Sequence, residues 1–387
     1  MKTLGANVPV SRWEPRLLGI VAVTLVMFGI AAVYSASSVQ AMLEFNDGSW
    51  FARRQFVGAV AGIVGMLVVS RIDYHVWQRY AWPLLFFSML LLLILILPVP
   101  EGIVLERNGA RRWLNLGVIS LQPSEIAKFA VIAWTAMLAA KKGDQLRSFK
   151  QGLLPFMVII GPMAGLILLE PDLSTTALTL MLAAIIVFTA GAKIGHFLVL
   201  GFLSLPAVWI SILIAPYRLE RFASFVCRYV PFMCPDTELA EASWQIKQSL
   251  IAIGAGQVFG VGFGQGLQKL GYLPLAYSDF LFSTIGEEWG FLGVTLIVLL
   301  YATFIAVGFR IARNAPDRFG LLLATGLTAL VGLTAFLHIA VTLSLVPTTG
   351  LPLPFMSAGR SSLLVALFSA GVLINIGNAS VGKARPR

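Results

Sequence analysis

The chain has 387 residues, of which 58% are hydrophobic and only 12% are charged, and its mean hydropathy is +0.86. Because soluble domains contain about 25% charged residues, this composition excludes a soluble enzyme, a disordered regulator and an ordinary nucleic-acid-binding protein. For the formal net charge of +10, the first question is therefore on which side of a membrane the charged residues lie. Two cysteines and three scattered histidines exclude a disulfide scaffold and an evident zinc motif.

Ten apolar runs approach the length of a membrane-spanning helix, which needs about 20 apolar residues. We predict an all-α polytopic membrane protein with a single integral-membrane domain over residues 1–387. The first run could also be a signal peptide, but its length and the nine later runs favour an uncleaved helix. The predicted spans are roughly 17–37, 56–70, 82–98, 123–140, 152–169, 173–191, 195–215, 278–309, 320–346 and 361–379.

Basic residues divide unequally between the two predicted sides of the membrane. With ten spans both termini share one side, which holds 16 of the 28 basic residues and four of the 18 acidic ones. Because basic loops stay in the cytoplasm, we predict cytoplasmic tails at 1–16 and 380–387. A large extracytoplasmic loop, 216–277, separates spans seven and eight. The other outer loops lie near 99–122, 168–173 and 347–360.

The first predicted outer loop carries cations and an aromatic residue and leads into a polar helix start. Pro123 favours the first position of a helix, with Glu125 in its first turn. Lys128 lies on the same face one turn further, and a lysine inside a span needs a partner. The loop itself supplies Arg111, Arg112 and Trp113. These three could bind a ligand, or they could anchor the loop at headgroup level.

Two aspartates border predicted spans. Asp172 lies in a tight turn and could simply cap the next helix. Asp279 lies at the mouth of the eighth run, beside Phe280 and Phe282. Partial desolvation there would raise the pKa of Asp279 toward the working range of a general base. The alternative for Asp279 is a helix cap, a task that Ser278 could perform equally well.

The large loop adds further cations, Arg221 and Lys269, and a glycine-rich run, Gly254–Gly266. The spacing of this run does not match a dinucleotide-binding loop, so close helix packing or a re-entrant turn explains it better. Cys227 and Cys234 both fall in the loop, where an oxidising compartment would permit a disulfide bond.

Six strings in a fixed order resemble the motifs of the SEDS family of bacterial cell-wall polymerases, over nearly the whole chain. They are Asn108–Asn115, Gln122–Lys128, Pro171-Asp172, Lys269–Pro274 with Asp279–Phe282, Gly286–Gly290 and Pro347–Phe355. The resemblance implies a multi-pass protein of the bacterial inner membrane whose active site faces outward. It also implies an inverting glycosyltransferase that polymerises lipid II, the undecaprenyl-diphosphate-linked disaccharide-pentapeptide, into β-1,4 glycan strands.

The resemblance also implies roles for individual residues. Asp279 would be the catalytic base, and Trp113 would stack on a sugar or line the lipid groove. The cations that would offset diphosphate charge are Arg111, Arg112, Lys128, Arg221 and Lys269. Supporting residues are Glu125, Asp172, Glu287, Glu288 and Ser357. The glutamates would position the cations or help to hold a divalent cation, Mg or Mn, at a site that the sequence does not define. The chain departs from the family pattern at Leu275, Tyr277, Ser278, Ala358 and Arg360.

The family implies lipid II and nascent glycan as partners, together with a class B penicillin-binding protein and other division or elongation membrane proteins; no nucleic acid is expected. The stretch Trp244–Gly254 is closer to division members than to elongation members. The alternatives are an elongation polymerase, a lipid II flippase and a non-catalytic scaffold for a transpeptidase. Polar residues crowd the predicted outer face, which favours an enzyme over a flippase with charges throughout its bundle.

Overall fold

The computed structural model describes residues 13–99, 102–107, 110–115, 117, 120–230 and 240–383. Residues 1–12 and 384–387 of the predicted tails lie outside the described part of the chain, as do residues 231–239 of the large loop. Short 3-10 segments occur at Gly143–Arg147 and Gln268–Leu270, and a π-helical turn at Phe149–Leu153. The α-helices are α1 (Trp13–Phe45), α2 (Trp50–Val69), α3 (His75–Arg79), α4 (Ala81–Ile96), α5 (Pro123–Lys142), α6 (Leu154–Leu169), α7 (Leu173–Thr189), α8 (Ile194–Ile214), α9 (Pro216–Tyr229), α10 (Ala240–Ala255), α11 (Leu281–Arg313), α12 (Arg318–Thr342) and α13 (Arg360–Lys383).

A helix covers most of each of the ten predicted spans. Among the described residues, seven helical segments are long and apolar enough to cross a membrane, and they belong to α1, α2, α6, α8, α11, α12 and α13. The apolar helices α4 and α7 are shorter, and α5 carries Glu125 and Lys128 in its first two turns. The mostly helical architecture is confirmed, whereas the number of crossings and the side of the termini stay predictions.

The all-α prediction is wrong for the segment between α4 and α5. This segment forms a small antiparallel sheet of β1 (Val104–Arg107), β2 (Ala110–Asn115) and β3 (Ser120–Leu121), in that order. Asn108-Gly109, which separates β1 from β2 in the sequence and lies outside the described residues, is a strong hairpin signal. Hydropathy identifies apolar runs and has no power to detect such short polar strands.

Helix α12 is the centre of the bundle. It packs against α5, α7, α11 and α13, and 72% of its most apolar 18-residue stretch is buried inside the protein. Glycines permit these close approaches, since the Gly326 backbone lies against Ile132 and Ile186. Helix α8, in contrast, has an entirely unburied apolar 18-residue stretch, and its main contact is with α9.

The glycine-rich run packs against a kink in α11. Gly290 adopts φ 65° and ψ −163°, which interrupts the helical hydrogen bonds. Loop amides use the carbonyls freed there: Val261 N donates to Glu287 O at 3.0 Å, and Gly262 N donates to Glu288 O at 3.1 Å. A side chain at Gly256 would overlap Gly286 O. Of the two explanations that the sequence left open for the glycine-rich run, these contacts support close packing, at Gly256 and Gly260.

Candidate active site

Asp279 lies on a turn that immediately precedes α11. Its backbone N–H donates to Leu275 O at 3.1 Å, and Leu275 itself has a positive φ of 54°. The carboxylate is half-buried and lies close to Gly350 of the last loop. No side chain caps the start of α11. The capping alternative for Asp279 and Ser278 is therefore wrong.

Two guanidinium groups influence the Asp279 carboxylate. Burial raises the pKa of Asp279 above its usual value of 3.8, and the nearby Asp172 charge acts in the same direction. A hydrogen bond from Ser278 and the positive charges of Arg221 and Arg112 oppose that rise in pKa. The structure thus brings together four of the residues proposed from sequence, Asp279, Asp172, Arg112 and Arg221, although they lie far apart in the chain. We call these four side chains the charged cluster.

Arg112 is fixed by backbone carbonyls of the turn between α6 and α7. From strand β2, its Nε donates to Glu170 O at 3.0 Å and its Nη2 donates to Pro171 O. Tyr217 at the start of α9 donates to the same Pro171 oxygen at 2.6 Å. Arg112 has no ion pair with a carboxylate in the described part of the chain. Its orientation is set by neutral acceptors, so its charge remains available to an anionic ligand.

Asp172 performs the capping role that its position predicts. Its Oδ1 accepts from Thr175 N at 3.0 Å and its Oδ2 accepts from the Thr175 hydroxyl at 2.9 Å, at the start of α7. Because both oxygens are used, Asp172 is a poor candidate for a proton acceptor. It contributes negative charge and a rigid turn on which Arg112 is held.

Glu170, which the sequence analysis did not single out, is a buried acid near Asp172 and Arg112 of the charged cluster. Its side-chain oxygens are buried with no hydrogen-bond partner. Burial, with a smaller contribution from Asp172, raises its pKa to about 9, against the opposing charge of Arg112. Glu170 is therefore a neutral carboxylic acid near neutral pH.

Glu170→Gln is expected to remove a pH-dependent loss of stability. With a pKa of about 9 when folded and 4.5 when unfolded, Glu170 keeps its proton only in the folded state, so stability falls as pH rises between these values. Glutamine mimics the neutral acid and cannot ionise. Thermal unfolding in detergent should show a shallower decline with pH for Glu170→Gln than for the wild type; identical slopes would contradict the assignment.

The last loop is held beside Asp279 by Ser357. The Ser357 hydroxyl donates to Ser278 O at 2.7 Å and accepts from Leu353 N at 2.9 Å. Gln55 of α2 donates to Ser357 O at 3.1 Å. His338 of α12 contacts Leu351 O through Nδ1 at 2.8 Å. Ser357 thus links the last loop to the turn that carries Asp279, and its role in catalysis stays a prediction.

The remaining predicted ligands of the diphosphate occupy different surroundings. Arg221 lies on α9, 5.7 Å from the Tyr217 ring centre, and belongs to the charged cluster. Arg111 donates to Leu97 O at 3.1 Å, at the end of α4. Trp113 is half-buried in β2, opposite Leu105 of β1. The structure therefore separates Arg111 from the charged cluster and assigns Trp113 to the sheet beside it.

The two predicted lysines are both neutralised by glutamates. Lys128 donates to Glu125 at 2.8 Å, so the expectation that an intramembrane lysine needs a partner is confirmed. This pair lines a small cavity with Thr334 and Ser362. Lys269 donates to Glu288 at 2.6 Å. Compensated cations are weaker anion ligands than Arg112, whose partners are neutral carbonyls.

The predicted glutamates do not form a cation site. Glu125 and Glu288 are each used by a lysine, and Glu287 Oε1 accepts from Leu267 N at 2.7 Å. Within the described residues there is no group of three acidic, histidine or cysteine side chains able to hold a metal. A divalent cation that helps to neutralise the lipid diphosphate stays a prediction.

Cys227 lies on α9 and carries a disulfide bond. Cys234, the only other cysteine of the chain, lies outside the described residues. Their pairing therefore stays a prediction.

The fold and site define a polytopic membrane protein with a charged, half-buried site at one end of its helical bundle. The family model described as FTSW_RODA_SPOVE, cell cycle protein, matches residues 15–381. The chain therefore belongs to the family of FtsW, RodA and SpoVE, the SEDS family, as its sequence motifs predicted.

Related proteins match this chain over nearly its full length. The probable peptidoglycan glycosyltransferase FtsW of Trichlorobacter lovleyi is 42% identical over 93% of this chain and 92% of its own. Stage V sporulation protein E of Bacillus subtilis is 37% identical over 94% and 97%. A chain solved in a peptidoglycan synthase complex that coordinates polymerization and crosslinking has a TM-score of 0.72 at 25% identity, covering 95% of this chain and 98% of that one.

Proposed function

We propose that this protein is a peptidoglycan glycosyltransferase that polymerises lipid II at the outer face of the cytoplasmic membrane. The observation that carries the proposal is the charged cluster: a half-buried carboxylate with a raised pKa lies within electrostatic range of two guanidinium groups. Relatives named as probable peptidoglycan glycosyltransferases support the same class of reaction. The positive-inside distribution of basic residues supports the outward orientation of the cluster.

In the proposed reaction Asp279 accepts the proton of a GlcNAc 4-hydroxyl as that oxygen attacks C1 of a MurNAc unit. The new C1–O bond forms while the bond from C1 to the diphosphate oxygen breaks, and the electron pair leaves with the undecaprenyl diphosphate. Attack opposite the leaving group inverts C1 and produces the β-1,4 linkage. Arg112 and Arg221 stabilise the negative charge that develops on the departing diphosphate.

The balance between burial and guanidinium charge predicts a pH dependence. The base must be ionised, so kcat/KM falls as pH drops through the raised pKa of Asp279, at a higher pH than for an ordinary aspartate. Arg221→Gln removes a charge that opposes the rise in this pKa. The acid limb should therefore move to still higher pH in Arg221→Gln, in addition to any loss of rate. A pH profile of glycan formation measures both effects, and an acid limb that moves to lower pH would contradict this arrangement.

Purified protein supplied with lipid II in detergent tests the activity directly. Glycan chains resolved by gel electrophoresis are the expected product. Translocation of lipid II by reconstituted vesicles without glycan formation would instead favour the flippase. Arg111→Ala serves as a graded comparison, because Arg111 lies outside the charged cluster and its loss should reduce the rate only partly.

The biological setting is proposed from the relatives. A division role follows from the FtsW relatives, with elongation as the second candidate. Depletion in the source cells separates them, since filaments indicate division and rounded cells indicate elongation. A class B penicillin-binding protein is the proposed partner, because a structural neighbour comes from a complex that couples polymerization to crosslinking.

A further inference from the structure

A buried three-residue network connects α1, the large loop and the kink of α11. Lys269 Nζ donates to Glu288 Oε1 at 2.6 Å and to Ser35 Oγ at 2.8 Å. The Ser35 hydroxyl lies 2.6 and 2.7 Å from the two Glu288 oxygens. Exposure is 2% for Ser35, 8% for Lys269 and 3% for Glu288. The ammonium group is thus enclosed by protein acceptors, which is unsuitable for a residue that binds a lipid diphosphate.

The neighbouring residue Glu287 reinforces this attachment. Its Oε1 accepts from Leu267 N at 2.7 Å and from Gln268 N at 3.3 Å, so consecutive glutamates hold consecutive loop residues. Leu273 N then donates to Gln268 O at 2.8 Å, which ties the next part of the loop to the attached segment. The chain from Lys269 to α11, including Asp279, is therefore held at both ends by the same helix.

We infer that Lys269 is a positioning residue that acts through Glu288 and Ser35 to set the location of Asp279, and that it does not contact the diphosphate. The inference rests on the proposed lipid II polymerisation. Loss of either charge leaves the other buried without a partner, and the loop must then move to solvate it. Loss of both charges removes that cause of movement, because a neutral pair of similar volume needs no solvation.

The experiment compares Lys269→Met, Glu288→Gln and the double variant in the lipid II polymerisation assay. Both single variants should lower kcat by about tenfold or more with KM changed by less than about threefold, and the double variant should recover most of the lost kcat. Direct diphosphate binding gives a different pattern: Lys269→Met would raise KM, Glu288→Gln would retain activity, and the double variant would match Lys269→Met. That pattern would overturn the inference.

Hydrogen exchange supplies a readout that does not depend on activity. Amides of residues 267–280 should exchange faster in both single variants than in the wild type and should regain protection in the double variant. Lys247→Met, the same change at an exposed position of α10, should alter neither exchange nor kcat. Unchanged protection in the single variants would reject the positioning role. A wild-type protein that makes no glycan would reject the proposed function, while the exchange pattern would still decide whether the network positions this segment.

Discussion

Asp279→Asn should reduce glycan formation from lipid II by about 10²- to 10⁴-fold, the contribution typical of general-base catalysis. Asparagine has nearly the same shape, but its amide cannot accept the proton of the attacking hydroxyl. The Asp279 side chain does not cap α11, so its replacement leaves the helix start intact. Expression, membrane insertion and thermal unfolding should therefore remain close to wild type while polymerisation is lost.

Glu170→Gln is the matched control for that loss. It makes the same change of carboxyl to amide beside the charged cluster, at a group that already carries its proton near neutral pH. Its polymerisation rate should stay within about threefold of the wild type, since the group supplies neither charge nor a proton acceptor. Polymerisation retained by Asp279→Asn would remove Asp279 as the base, and equal losses in both variants would indicate a general disturbance of this region.

Features that depend on neighbouring residues could be predicted from the sequence. Pro123 begins α5 and Asp172 caps α7 because these preferences arise within a single helical turn. The pairing of Glu125 with Lys128 follows from their separation of three residues on one helix face. Apolar length likewise located a helix at every predicted span, although it has no power to detect the short sheet before α5.

Partners distant in the chain could not be predicted. Lys269 was expected to bind diphosphate because it is a cation in a motif, yet its partner Ser35 lies 234 residues away and has no distinguishing local pattern. Arg111 and Arg112 are adjacent and chemically identical, and the alternation of side chains along β2 separates them. Of the two, it is Arg112 that reaches the turn between α6 and α7, whereas Arg111 reaches Leu97 O. Long-range packing therefore determines which cations belong to the site.

The second large effect is expected from Gly256→Ala. A Cβ at this position would lie 1.8 Å from Gly286 O and 2.8 Å from the Gly286 carbonyl carbon. Both atoms belong to the backbone of α11, so no rotation of a side chain can relieve the overlap. The glycine-rich run would have to separate from the helix, which should cost about 1–3 kcal/mol or more. Thermal unfolding in detergent should show a clearly lower midpoint than the wild type.

Gly254→Ala is the control for this effect and has the opposite expected sign. Gly254 lies two residues before Gly256, within α10. It is exposed and has open space where a Cβ would be placed. Alanine there should stabilise the helix by up to about 1 kcal/mol, since glycine is the poorer helix former. Equal unfolding midpoints in the two variants would contradict the packing described for Gly256. Loss of polymerisation in Gly256→Ala alone would show that docking of the glycine-rich run on α11 is required to hold Asp279 at the charged cluster.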